Sequence, residues 1–279
     1  MGLLGASITL TILRSLFGVK AVGYSHRAST RRKAKRLGVA EEIVDDMGMC
    51  VSGADMVILA TPICTFEDIF FGISKFLKTG CIVTDVGSTK VLPHRWAEKV
   101  LPKEVYYVGS HPIAGSEERG AEFARDDLFY GARCILTRKK STNSAALSRL
   151  KRFWLQLGCR VSVMGPGRHD RIFARVSHLP HVTAAALINA SDSEQLTFAG
   201  KGFIDTSRVA SGPENVWSDI LITNAANTAQ GIDRVIAELL KLQKAIKAKD
   251  QKRVENLLAA ARTKRGSLVR YKMRRKELL

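Results

Sequence analysis

Apolar residues form short continuous runs in the first half of this chain and helical spacings throughout the second. "ADMVILATP" (54–62) is a continuous apolar run ended by Pro62, the pattern of a strand buried on both faces, and "GCIVTDVGS" (80–88) and "VYYVGSHP" (105–112) read as further buried strands. "VKAVGYS" (19–25) reads as a shorter strand, and "LFYGARCILT" (128–137) and "CRVSVMG" (159–165) as two more. Between them lie helical patterns: an opening helix over 6–17, "ASTRRKAKRLG" (28–38) with Gly38 as its C-cap, and a helix over about 66–77. Strands alternating with helices at this spacing predict a parallel sheet with right-handed crossovers. After the Gly/Pro-rich "GPGRHD" (165–170) no further strand pattern occurs. The expected layout is therefore an α/β domain over residues 1–166 followed by an all-helical domain over 167–279.

Ligands of such sheets bind beyond the carboxyl ends of the strands, so those ends are where chemistry is expected. The opening "MGLLGASITL" resembles the back half of the G-x-G-x-x-G turn that seats a pyrophosphate on a helix N-terminus. Gly2, Leu3, Leu4 and Gly5 are the candidate seat of a dinucleotide, and the first domain reads as Rossmann-like. The strand that normally precedes this turn is absent, and it would be the central one of the sheet. The expectation is that the native chain starts about 8–10 residues earlier. The second strand ends at Ser25, followed by His26, Arg27 and Thr30, with no carboxylate between Ser25 and Lys35. Hydroxyls and guanidinium groups welcome a 2′-phosphate that an Asp would repel, so NADP is expected over NAD. Thr61 and Pro62, at the next strand end, complete the candidate cofactor residues.

Composition narrows the picture. The net charge is +18, but the last 39 residues hold 14 Lys/Arg against 3 Asp/Glu, and these are spread over helical patterns. Leu239, Leu242, Ile246 and Leu257 there suggest one buried apolar face with a solvated basic face opposite. No aromatic and basic stacking surface accompanies the charge, so a nucleic-acid partner is not expected. Five scattered cysteines without C-x-x-C spacing fit reduced, buried thiols in a cytoplasmic protein and speak against a metal site. No apolar run reaches the length of a membrane span, and no secretory leader is recognisable.

Of the six histidines, His26 and His94 read as surface residues and His169 as part of a polar turn. His111 differs. It ends a strand in a Gly/Ser-rich loop beside Pro112, where it can face a cofactor cleft and act as a general base. Ser88, at the preceding strand end, can share the same substrate hydroxyl.

"TDVGSTK" (84–90), "HPIAGSEERG" (111–120), "SHLPH" (177–181) and "DTSRVASGPENVWSDI" (205–220) together resemble, in order, the signature segments of the prephenate/arogenate dehydrogenase family. The resemblance implies oxidative decarboxylation of prephenate or arogenate in tyrosine biosynthesis, with a Rossmann-like domain and a helical domain that builds a homodimer. It also implies that His111 takes the proton of the ring hydroxyl and that Ser88 shares that hydroxyl. Arg208 would bind a substrate carboxylate, Ser116 and Glu117 would gate the site, and His181 and Trp217 would line the pocket. Asp205 would orient the arginine segment, while His178 and Pro180 would serve a helix start. Lys201 departs from a stretch that is often richer in glycine. Two rival readings remain: a β-hydroxyacid or imine reductase, which would need a catalytic lysine on a C-terminal helix, and a degenerate dinucleotide-binding protein without catalysis.

Overall fold

The computed structural model describes residues 1–15, 18–114, 118 and 120–275. Among the described residues eight strands fall into three sheets. β1 (Val22–Tyr24) pairs in parallel with β2 (Glu42–Val44), and β3 (Met56–Leu59), β4 (Ile82–Asp85) and β5 (Tyr106–Tyr107) form a parallel trio. β6 (Gly109–Ile113) runs antiparallel to β7 (Arg133–Thr137), which is parallel to β8 (Arg160–Met164). Among the described residues no strand joins β1 to β3, the position assigned above to the absent first strand. The expected single strand over 105–112 is two. Residues 106–108 follow β4, and the chain then turns at Val108 to serve β7 instead.

Helices cover both faces of the trio. β4 shows why its first residues are apolar on both sides: Ile82 enters one core and Val83 the other. The first core takes Ile8 and Ile12 from α1 (Leu3–Ser15) and Leu150 and Trp154 from α6 (Ser144–Gln156). The second takes Phe66 and Phe70 from α4 (Phe66–Ile73) and Ala97 from α5 (Val91–Val100). α2 (Ala28–Leu37) ends at Gly38, whose φ of 60° is the left-handed C-cap expected there. α3 (Met47–Val51) is a single turn capped by Asp46.

From Pro166 onward the chain is helical. α7 (Pro166–Phe173) passes through a π-helical turn (Ala174–His178) into α8 (Leu179–Asn189), whose second residue is Pro180. α9 (Ser193–Thr197), α10 (Lys201–Ser207), a 3₁₀ turn (Arg208–Ser211) and α11 (Glu214–Thr223) follow, then α12 (Ala225–Lys247) and α13 (Gln251–Arg274). The chain divides into two compact units, Met1–Thr228 and Ala229–Leu279. In the second, the expected buried face is only partly covered within the single chain: Leu239 is 58% and Ile246 61% exposed, while Leu242 and Leu257 are half-buried. Among the described residues no helix is long and apolar enough to cross a membrane. All five cysteines are free, and Cys64 is exposed rather than buried as expected.

Candidate active site

The carboxyl end of β4 is built around two buried charges. Asp85 ends the strand, Lys90 precedes α5, and the two form an ion pair with no solvent exposure. The remaining capacity of the carboxylate is used. Gly87 donates its N–H to Oδ1 at 2.7 Å and Tyr107 its hydroxyl to Oδ2 at 2.6 Å. Burial, then the Asp85 charge, pushes the Tyr107 phenol well above its usual range, so it stays a donor. These bonds pin both sides of the turn that carries Ser88, which is half-buried.

His111 lies beside this turn on β6. Its neighbour Ser110 places its hydroxyl 3.0 Å from Thr84 Oγ1 and bonds the Asp85 carbonyl, tying β6 to β4. His111 Nδ1 is 2.9 Å from Nε2 of His169, and His169 Nδ1 is 2.8 Å from Oδ1 of Asp170. Asp170 also caps α5 from a different helix, accepting the Lys90 N–H on Oδ1 and the Val91 N–H on Oδ2, each at 2.8 Å. Phe173 covers both imidazoles, 4.8 Å from His111 and 4.5 Å from His169 between ring centroids. Burial, and after it the neighbouring His169, Lys90 and His178, hold His111 well below the usual histidine range. It is therefore neutral near pH 7 and able to accept a proton.

A second cluster lies on α8 and α11. His181 is buried and stacks on Trp217, with ring centroids 3.6 Å apart and planes 9° from parallel. Gly212 makes this possible, since a Cβ there would fall 2.1 Å from Trp217 Nε1 and 3.1 Å from His181 Cε1. His178 is buried, its Nδ1 3.3 Å from Asn224 Nδ2, and burial pushes it down to about 4. The turn bearing Arg208 packs on α8 with the Arg208 side chain exposed. Asp205 is exposed and pairs with Lys201 at 3.2 Å. Ser116 and Glu117 lie outside the described residues.

The candidate cofactor residues gather at α1, β1 and β3. Helix α1 begins at Leu3, directly after Gly2, so the N–H groups of its first turn, from Leu3 to Gly5, have no intrahelical acceptor. Gly5 presses against the end of β3, where a Cβ would lie 3.1 Å from that of Ala60. Thr61 and Pro62 follow, exposed, with Thr61 Oγ1 accepting from Thr65 Oγ1 at 2.9 Å. At the end of β1, Ser25 and Thr30 are half-buried while His26 and Arg27 are exposed. Arg31 holds this end in place by donating to the Ser25 and His26 carbonyls at 2.7 and 3.0 Å.

Two expectations need correction. His94 is not a surface residue, and His169 lies in helix α7 rather than a polar turn; both are buried. His94 faces inward from α5, its Nε2 2.9 Å from Thr137 Oγ1 and its ring edge-on to Tyr107. His169 is partnered on both ring nitrogens. Sequence reasoning also passed over Asp170 and Phe173, whose only local signal is the "HDRIF" that opens the helical half. Among the described residues no group of His, Cys, Asp and Glu is arranged to hold a metal ion.

Comparison with known proteins decides the family. The model described as prephenate dehydrogenase, nucleotide-binding domain, matches residues 8–163, and that of the prephenate dehydrogenase dimerization domain matches residues 165–260. The chain belongs to the prephenate dehydrogenase family. As a member it is an oxidoreductase. It is 32% identical over 278 residues to a prephenate dehydrogenase of Bacillus subtilis, covering 96% of this chain and 74% of that one. A structure of prephenate dehydrogenase from A. aeolicus, in complex with hydroxyphenyl propionate and NAD+, superposes with TM-score 0.88 at 33% identity, covering 96% and 95% of the two chains. Synechocystis arogenate dehydrogenase gives 0.82 at 28% identity, covering 96% and 97%.

Proposed function

We propose that this prephenate dehydrogenase family member oxidatively decarboxylates a cyclohexadienyl substrate, prephenate or arogenate, with NADP as hydride acceptor. The observation that carries the reading is His111: neutral, packed among aromatic rings, and beside the pinned turn of Ser88.

The residues fit a dinucleotide. The free N–H groups of the first α1 turn, with Gly2, Leu3, Leu4 and Gly5, would receive the pyrophosphate. Ser25, His26, Arg27 and Thr30 would receive the 2′-phosphate, and Thr61 and Pro62 would border the nicotinamide side. The bound nicotinamide supplies an acceptor for the hydride from ring C4. His111 takes the hydroxyl proton as that hydride departs, and Ser88 holds the same oxygen. Arg208 fixes a substrate carboxylate by a charge-assisted pair, and the stacked His181 and Trp217 line the pocket. The C–C bond to the departing CO2 leaves its electron pair in the ring, and the proton on His111 returns to the phenolate oxygen. Ser116 and Glu117, outside the described residues, would gate the site as the family resemblance implies.

The functional division at 166/167 assigns cofactor binding to the first part and substrate binding and dimerisation to the second. The exposed apolar positions of α12 and α13 support a homodimer, as does the description of the family model over 165–260.

Steady-state kinetics on prephenate and arogenate, each with NADP and NAD, test the reading. The expected result is an aromatic product formed faster with NADP, and a His111→Asn variant with kcat lowered on the order of 10²-fold or more at unchanged cofactor affinity. Wild-type turnover in that variant across the pH profile removes His111 as the base.

A further inference from the structure

The contacts between His111 and Asp170 determine which ring nitrogens carry protons. Both oxygens of Asp170 already accept backbone N–H groups, Oδ1 from Lys90 and Oδ2 from Val91. A carboxyl group facing N–H donors on both oxygens is an acceptor, so its 2.8 Å contact with His169 has the proton on Nδ1 of the histidine. His169 is wholly buried, and burial outweighs the opposing pull of Asp170 to lower its basicity. A neutral imidazole protonated on Nδ1 is bare on Nε2. That bare nitrogen lies 2.9 Å from His111 Nδ1, which must then be the donor. A neutral His111 protonated on Nδ1 has its lone pair on Nε2, a nitrogen without a hydrogen-bond partner among the described residues.

We propose that Asp170 and His169 form a buried relay that fixes the Nδ1–H tautomer of His111 and so turns its Nε2 lone pair to the substrate. The tautomer of a histidine is set by the bond its other nitrogen makes. Here that bond is protected from water by Phe173. The far end is fixed by the α5 cap and by Asn224 Nδ2, which donates to the Asp170 carbonyl at 2.8 Å. His169 and Asp170 are positioning residues, for neither is assigned a contact with substrate. Without the acceptor, His111 could place its proton on Nε2 and meet the substrate hydroxyl as a donor, unable to take its proton.

The catalytic consequence rests on His111 being the base, but the tautomer does not, and the two are measured separately. Heteronuclear NMR of the full-length enzyme with ¹⁵N-labelled imidazoles, without ligands and at neutral pH, reads the tautomer directly. The His111 and His169 signals are assigned from His111→Asn and His169→Gln. The relay requires a protonated Nδ1 and a bare Nε2 on both residues. A His111 protonated on Nε2, or a doubly protonated His169, overturns it.

The second measurement is turnover. His169→Leu should lower kcat on the order of 10²-fold with KM changed less than about twofold. His169→Gln, whose side-chain carbonyl can accept from His111 Nδ1, should recover a large part. Equal loss in both variants, with both folded by circular dichroism, counts against the relay. If His169→Leu does not fold, the wild-type NMR result decides. The inferred tautomer together with wild-type turnover in His169→Leu would uphold the relay's geometry and overturn its catalytic consequence, while His111→Asn reads separately whether His111 is the base.

Discussion

Replacing Lys90 by Met removes a buried cation and leaves its partner behind. Asp85 would keep only the Gly87 N–H and the Tyr107 hydroxyl as donors, at a site with no solvent exposure. Removing one member of a buried ion pair costs about 3–5 kcal/mol, because the remaining charge stays uncompensated. At about 2–4 °C per kcal/mol for a domain of this size, Tm should fall by about 6–20 °C. The substitution also acts on chemistry. The Lys90 charge helps hold His94, His111 and His169 down, so its loss raises all three. A base that must be neutral then needs a higher pH, and the acid limb of kcat moves upward. Circular dichroism melts and kcat–pH profiles of wild type and Lys90→Met check both parts. Asp85→Asn added to Lys90→Met removes the stranded charge, keeps an acceptor for Gly87 and should recover part of the stability. A Tm within about 1 °C of wild type would refute the buried pair as a stabilising element, and an acid limb that stays put or moves downward would refute the electrostatic argument.

What the sequence shows about this fold, and what it hides, divides along physical lines. The run 56–59 declares itself because a strand packed on both faces is apolar along its length. In 82–85 Ile82 and Val83 carry the same signal, while the buried Thr84 and Asp85 are matched by Ser110, Gly87, Tyr107 and Lys90. The break at Val108 is silent, because "YYVGSHP" is uniformly strand-like and only distant partners decide that 106–108 follow β4 while 109–113 serve β7. His111 and Ser88 stood out as candidates by their places at strand ends, and Arg208 only through its segment. His169 was misjudged because Arg168 and Asp170 beside it are polar, and His94 because nothing in "VLPHRWA" shows which way its side chain faces. Their burial depends on which helix face meets Thr137 in one case and His111 in the other, contacts made across 43 and 58 residues of chain. The face of Leu239 and Ile246 was legible as apolar, but helical periodicity says nothing about what covers it.

Ser25→Asp places a carboxylate at the end of β1 and should shift kcat/KM from NADP towards NAD; a wild-type preference for NAD would sink the 2′-phosphate assignment. Gly212→Ala drives a methyl into the Trp217 indole and should disrupt the His181 stack, raising substrate KM on the order of tenfold; an unchanged KM would separate that stack from the substrate site. Sedimentation should show a dimer, and a folded monomer at low micromolar concentration would contradict the reading of α12 and α13. The last expectation concerns acid stability. His94 is held down from 6.5 to about 3, first by burial and then by Lys90 and Lys139. Its folded form thus resists protonation while the unfolded chain takes up a proton near 6.5. The stabilisation is fully present above that value and is lost as pH falls from there towards 3. Between pH 7 and pH 5 the loss is about 2 kcal/mol from this group alone. In His94→Gln, which keeps a polar partner for Thr137, the unfolded state no longer gains that proton. Denaturant unfolding at the two pH values should therefore show a smaller drop in the variant. An equal or larger drop would mean that the acid sensitivity arises elsewhere and that His94 accepts its proton without unfolding.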